Sequence, residues 1–456
     1  MRMRSLVFGA AKKSASIVGP RAARSATGGA SWPRRGTEPR TDSVDCRPMA
    51  STSAAAPQSS TERETGPASG LRKFFALELL DNRYAALHGL RVLAIVSVIQ
   101  FHVTWIYMGE LGIMLDPRFF TASTTVFFGM DLFFVLSGFL IGSILLHSIE
   151  TVGDQQIRRF YLRRILRTFP SYYVTLTVLV LAFGLTAMQR QHLRWEYVYL
   201  TNFFSLERPS VVMFWGWSLA LEEQFYLTVP ILFLVLRALR SDRARIVLLV
   251  ALWLAALVVR IVIYVRGRPW DDFVLYGALY FRTHTRFDTL VAGLLLALVH
   301  RRWKRELTAW LATPLHRAMI AIPSLGCLWL LIEPSMFGHQ WLQWVHVFAW
   351  GTVTTLMYFG FLLLLLHGEG AIVRFLSAPI FRRVATLGYG VYLVHIPLID
   401  HVVAPIAGRL ARRSASMMWV WPASLVAVTL LSLGLAYLMH VLIEKPSLYV
   451  RQRLAE

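Results

Sequence analysis

Apolar residues recur along most of the chain in runs of about twenty, long enough as α-helices to cross a bilayer core. Short polar stretches rich in arginine separate them. Ten spans are expected, at residues 86–108, 122–147, 166–188, 218–239, 245–265, 284–300, 317–333, 342–366, 384–406 and 418–443. The predicted fold class is all-α, a polytopic membrane protein of about ten transmembrane helices. The loops alternate in charge. One set holds Arg158, Arg159, Arg163 and Arg164, then Arg237, Arg240, Arg243 and Arg245, then Arg301, Arg302, Lys304 and Arg305. It continues with Arg374, Arg382 and Arg383 and closes with Lys445, Arg451 and Arg453. The opposite set carries acids such as Glu110, Asp116, Glu196, Glu207, Asp271, Asp272 and Glu333, and only the loop with Arg409, Arg412 and Arg413 departs from it. Positively charged loops stay on the cytoplasmic side, so both termini are expected there.

Composition sharpens this picture. Of 456 residues, 56% are hydrophobic and 16% charged, whereas soluble domains average about 25% charged. The net charge of +21 raises the question of nucleic acid, but the first 73 residues hold 13 Lys or Arg against 5 acids, and most of the rest is in the loops. No nucleic-acid partner is expected. Cys46 and Cys327 offer neither a disulfide framework nor a metal spacing, and no metal is expected. Residues 1–72 are rich in Arg, Ser, Ala, Gly and Pro without apolar periodicity, a composition that stays disordered. Two accounts fit this tail: an organelle-type transit segment, or a stretch upstream of a true start near Met49. The domain plan is thus a basic tail over 1–72 and a membrane domain over 73–456, with no soluble domain after the last span. The Gly-Lys loop that ATP-driven transport would require is missing from the sequence.

Several spans contain groups that lipid tolerates poorly. In LHGLRVLAIVSVIQFHV, residues 87–103, Arg91 and His102 stand eleven apart. On a helix they fall within roughly 20° of one direction and about 16 Å apart along the axis. A snorkelling Arg and a hydrogen-bonded core His is the plain reading. GMDLFFVLSGFLIG, residues 129–142, puts Asp131 in an apolar helix and offers Ser137-Gly138 for close helix contact. In RRFYLRRILRTFP, residues 158–170, Arg164 and Arg167 share a face at the cytoplasmic end. Two guanidiniums so placed suit phosphates, although an ordinary cluster drawn to anionic lipid head groups needs no more. WGWSLALEEQFYLTVP, residues 215–230, brings Glu222 and Glu223 to the outer start of the fourth span, where a helix dipole favours acids. Arg282, Arg286 and Asp288 open the sixth span, His395 lies in LGYGVYLVHIPL, and Glu444-Lys445-Pro446 closes the tenth.

Taken in order, HGLRVLAIVSVIQFH, GMDLFFVLSGFLIG, RILR, WSLALEEQFYLTVP, LGYGVYLVHIPL and IEKP resemble acyltransferase family three, the integral membrane O-acyltransferases. The resemblance covers about residues 85 to 450. It implies transfer of an acyl group, commonly acetyl, from a cytoplasmic acyl-CoA-type donor to a hydroxyl of a surface glycan or lipid-linked saccharide. It also implies a bacterial inner membrane, lipid as surroundings, acyl-CoA as co-substrate and no resident cofactor. The family's histidine falls on His102, its preceding arginine on Arg91, its RxxR pair on Arg164 and Arg167 and its WSL-E acid on Glu222. Where the family commonly has an acid before Gly-Leu-Arg, this chain has His88. His102 is expected as general base or transient acyl carrier, since neutral imidazole titrates near working pH. Arg164 and Arg167 are expected on donor phosphates, with Arg91 steadying the donor or the developing charge. Glu222 is expected to orient His102 or the acceptor, and Asp131 and His395 to bind substrate. The alternative is a glycan or solute transporter using the same polar groups as a midplane site.

Overall fold

The computed structural model describes residues 74–109, 123, 128–149, 155–204, 210–270, 272–337, 347, 349–413 and 417–455. The expected tail over 1–72 and the loop acids Glu110, Asp116, Glu207 and Asp271 lie outside these residues. Among the described residues the ordered structure is helical, with no strand. Ten helices answer the ten expected spans: α1 Ala85–Gly109, α2 Gly129–Ile149, α3 Gln155–Phe183, α4 Trp217–Ala238 and α5 Asp242–Arg266. The second half comprises α6 Thr283–Arg302, α7 Pro314–Phe337, α8 Thr354–His367, α9 Pro379–Leu398 and α10 Met417–Met439. Eight of these segments are long and apolar enough to cross a membrane. The other two are α6, which carries Arg286, Asp288, Arg301 and Arg302, and α8, whose apolar run Gly351–His367 is shorter.

One boundary moves with consequence. Helix α3 begins at Gln155, eleven residues before the expected 166, so Arg158, Arg159, Arg163 and Arg164 are helical rather than in a loop. Hydropathy misses this half-helix because arginine reads as polar, while its long stem covers apolar surface and its head reaches for water or a partner.

The tightest packing joins α2 to α6. A Cβ on Gly138 would stand 2.0 Å from the Leu290 carbonyl oxygen, and one on Gly293 would stand 2.2 Å from that of Val135. Small residues let two backbones meet where lipid offers no hydrophobic drive to bring helices together. The same contact settles how α6 carries charge. Asp131 of α2 pairs with Arg286 at 2.5 Å, and Arg260 of α5 pairs with Asp288 at 2.7 Å, all four side chains fully buried. Arg260 also donates to the carbonyls of Val347 (2.8 Å) and Thr285 (2.6 Å) and to the Thr352 hydroxyl (2.7 Å). Gly351, at φ +117°, closes over this cluster, and a Cβ there would meet the Asp288 carboxylate at 2.3 Å. Removing one partner of such a buried pair costs about 3–5 kcal/mol.

At the basic ends of the helices, the segment before α1 is strapped down through its backbone. The Tyr437 hydroxyl donates to the Phe75 carbonyl (2.8 Å), Lys445 donates to those of Phe74 (2.9 Å) and Ala76 (2.8 Å), and Arg382 donates to that of Leu80 (2.7 Å). On the opposite side, the short helix Ala187–Tyr197 holds the approach to α4. Its Glu196 carboxylate accepts the Val212 and Met213 N–H groups at 2.7 and 2.8 Å. Burial pushes this carboxyl above its ordinary value, and the two amide donors act against that shift.

The glycine contacts yield a paired prediction. Gly138→Ala or Gly293→Ala should lower the stability of the detergent-solubilised protein by about 1–3 kcal/mol, the usual cost of overpacking. Gly434→Ala, where nothing lies within 4 Å of a new Cβ, should leave it unchanged or slightly raised. Thermal unfolding monitored by aggregation or intrinsic fluorescence checks both, and equal behaviour at the three positions would refute the close crossing.

Candidate active site

Helices α1 and α9 each carry one polar face that runs from the basic side toward the membrane interior. On α1 the face reads Leu87, His88, Arg91 and Ile95, and on α9 it reads Ala385, Gly388, Tyr389 and Tyr392, and all eight line one cavity of about 300 Å³. Both helices run in the same direction, as spans one and nine of an alternating bundle must. They pack closely enough that a Cβ on Gly388 would lie 2.6 Å from the Ile95 Cδ1.

Two further helices complete the wall. Arg164, Arg167 and Thr168 come from α3, and Ser218, Leu219, Glu222 and Tyr226 from α4. The α4 set follows i, i+1, i+4, i+8, a single helical face. Arg164 lies over the Tyr226 ring, 4.8 Å from its centroid, a cation–π contact that aims the guanidinium along the wall. The Glu222 carboxylate accepts a hydrogen bond from the Ser137 hydroxyl of α2, and Ser137 also lines the cavity. Below, Leu80, Asp81, Arg83 and Tyr84 of the strap form the floor. The lining thus holds Arg83, Arg91, Arg164 and Arg167 against Asp81 and Glu222, an excess of positive charge. Among the described residues Arg91, Arg164 and Arg167 enter no ion pair. A partly enclosed cationic chamber of this kind suits an anion able to take several guanidiniums at once.

Above the cavity the same two helix faces each present a histidine. His102 Nδ1 and His395 Nε2 are 3.2 Å apart. The backbone fixes both tautomers. His395 Nδ1 stands 2.7 Å from the Tyr392 carbonyl, which only accepts, so Nδ1 carries the proton and Nε2 the lone pair. His102 Nδ1 stands 3.0 Å from the Val98 carbonyl, which by the same argument sets the proton on Nδ1. That N–H is shared between Val98 O and His395 Nε2, and the lone pair of His102 falls on its own Nε2. His395 is fully buried and His102 half-buried. Tyr392 joins the two levels. Its carbonyl orients His395, while its hydroxyl donates to the Trp215 carbonyl (2.8 Å) and meets Ser218 Oγ at 2.5 Å on the cavity wall.

The expected residues therefore divide. Arg91, Arg164, Arg167 and Glu222 line one cavity, and His102 and His395 form a contact pair above it. Glu222 sits well inside the bundle rather than at the outer rim, and its hydrogen bond goes to Ser137, whereas the partner of His102 is His395. Asp131 stands off the cavity. It lies roughly 120° round α2 from Ser137 and is taken up by Arg286. His88 occupies the cavity wall beside Arg91. Ser137, Ser218, Tyr226, Tyr389 and Tyr392 escape a reading by charge because they are neutral. The i, i+3 steps from Tyr389 to Tyr392 and from Tyr392 to His395, which make each pair neighbours along α9, are the signal that finds two of them.

A chamber for an anion, placed beneath a pair of imidazoles in contact, defines a membrane protein equipped to bring a charged ligand to a group that can exchange protons. A family model described as an acyltransferase domain matches residues 84–441, and the chain belongs to that family. It is 27% identical to the peptidoglycan O-acetyltransferase OatA of Listeria monocytogenes over 331 residues, 69% of this chain and 49% of that protein. It is 29% identical over 332 residues to YrhL of Bacillus subtilis, provisionally named for the same activity, covering 69% of this chain and 48% of that one. The chain spans about half the length of the curated relatives it matches. No solved structure matches it.

The histidine geometry is open to direct measurement. In protein labelled with ¹⁵N-histidine, both His102 and His395 should report the neutral Nδ1–H tautomer near pH 7, assigned by loss of each signal in the single variants. His395→Ala should also shift the His102 resonances. An Nε2–H tautomer at His102 would contradict the arrangement.

Proposed function

We propose that the chain is a membrane O-acyltransferase that moves an acetyl group from an acyl-CoA-type donor on the basic, cytoplasmic side to a hydroxyl of a cell-envelope carbohydrate. The observation that carries this reading is the continuity of the α1 and α9 faces, which link the Arg91–Arg164–Arg167 chamber to the His102–His395 pair. Family membership supplies the reaction class. The relatives named for peptidoglycan favour a glycan of that kind, or a lipid-linked saccharide, in a bacterial inner membrane.

In this mechanism Arg164 and Arg167 receive donor phosphates by charge-assisted hydrogen bonds, and Arg91, one level higher on α1, steadies the thioester end. His102 Nε2 takes the proton of the acceptor hydroxyl as its oxygen bonds to the thioester carbonyl carbon. The carbon–sulfur bond breaks, and the departing thiolate takes the proton back from the imidazolium. His395 accepts from His102 Nδ1–H and so steadies the charged ring, the part often played by a carboxylate. Glu222 and Ser137 hold a polar patch on the chamber wall for the donor. Asp131 acts at one remove, by fixing α6 against α2.

Membranes carrying the intact chain should consume labelled acetyl-CoA and place label on glycan, and His102→Ala at matched protein level should cut the rate by 10²-fold or more, the scale of general-base catalysis. Arg164→Ala should raise the donor KM by roughly 10-fold or more, the value of one charged hydrogen bond, with a smaller change in kcat. Donor turnover unaffected by His102→Ala would remove the base from the mechanism. Glycan movement without donor consumption would favour the transporter.

A further inference from the structure

The indole of Trp215 is 3% exposed, and its Nε1–H has no hydrogen-bond acceptor. A buried donor left in this state costs about 1–3 kcal/mol, so it calls for an explanation. Its surroundings supply one. The Trp215 ring packs edge-on against His395, with centroids 6.5 Å apart, and the neighbouring Phe214 ring lies 6.2 Å from His102. Other buried donors without acceptors, such as those of Trp253 and Ser432, belong to side chains with no ring contact to the histidine pair.

The segment that carries Trp215 is held from three directions. Glu196 clamps the Val212 and Met213 amides, Gly216 N–H donates to the Met213 carbonyl at 2.8 Å, and the Tyr392 hydroxyl binds the Trp215 carbonyl at 2.8 Å. A donor fixed in this way before the reaction has no reorganisation to undergo when charge develops beside it. That is the property that makes an oxyanion site effective.

We propose that Trp215 Nε1–H is the hydrogen-bond donor that receives the thioester carbonyl oxygen at the His102–His395 pair, which makes Trp215 a catalytic residue. The inference rests on the acyl-transfer reading above. When the acceptor oxygen bonds to the carbonyl carbon and its proton passes to His102, the carbonyl π electrons move onto oxygen. Trp215 Nε1–H holds that oxyanion until the electrons return, the carbon–sulfur bond breaks and the thiolate takes the proton from His102. The indole gives up no proton, and no further reactant is required. The substrate it recognises is an acyl carbonyl, whichever carrier the thioester is attached to.

The test compares purified protein with Trp215→Phe, which keeps an apolar ring and loses the N–H, and with β-(3-benzothienyl)alanine inserted at position 215. The second replaces N–H by sulfur at almost unchanged shape and covers the case in which Trp215→Phe fails to fold. Both should lower kcat about 100-fold, the usual effect of deleting one oxyanion donor, with the acetyl-CoA KM within about threefold and the unfolding temperature unchanged. Wild-type kcat in the benzothienyl protein would overturn the proposal. So would a loss of kcat matched by a loss of folded protein in that variant, since packing would then explain it. His102→Ala is run in parallel. If the wild-type protein itself consumes no acetyl-CoA, the acyl-transfer reading fails, and if His102→Ala transfers acetyl at the wild-type rate, the histidine pair is not the reaction centre and the proposal falls with it. If His102→Ala is inactive while the benzothienyl protein is fully active, only the role of Trp215 fails.

Discussion

A guanidinium inside a bilayer must be paired or put to use, and this chain does the two things on different faces of its helices. Arg260 and Arg286 are neutralised at contact distance by Asp288 and Asp131 and lie sealed between α2, α5 and α6. Arg91, Arg164 and Arg167 face a chamber instead. The first group makes the second possible. By drawing Asp131 toward α6 it turns Ser137, Phe133 and Leu140 of the same helix toward the cavity, and the Gly138–Gly293 approach leaves no room for another register. The buried pairs are thus scaffolding for the guanidiniums that line the chamber. They contribute order more than stability, since a buried ion pair roughly offsets its own desolvation.

Two ladders of side chains, on α1 and α9, give the molecule its vertical logic. Reading away from the basic side, the strap comes first, then the arginines, then the Ser137–Glu222 contact, then Ser218 with Tyr392, and last the histidines. Charge decreases along that path, from guanidiniums through hydroxyls to imidazoles. A donor that carries its negative charge at one end and its reactive acyl group at the other matches such a gradient, because each part meets the environment that costs it least.

Much of this order is legible in the sequence, and the rest is hidden for definable reasons. The ten spans show because lipid demands long apolar runs, and Arg91 and His102 declare a shared face through their eleven-residue spacing. Asp131 declares that it needs a partner without saying which, since Arg286 is 155 positions away. Glu222 reads as an outer-rim acid because it opens the span expected at 218–239. In the structure it accepts from Ser137 of α2 and shares a cavity with Arg164, a neighbour that lies 58 positions away on a stretch hydropathy leaves outside the third span. The pairing of His102 with His395 spans 293 positions and depends on two helices being parallel neighbours, which periodicity in one segment cannot reveal.

Tyr392 faces both ways: its side chain closes the chamber against Ser218 and Trp215, and its backbone carbonyl sets the proton position of His395. One residue is therefore both a partition and a reference point. Any shift of α9 that moved the side chain off Ser218 would also move the carbonyl that orders the imidazoles. The wall of the chamber and the orientation of the imidazoles are therefore set by one turn of one helix, and neither can be altered without the other.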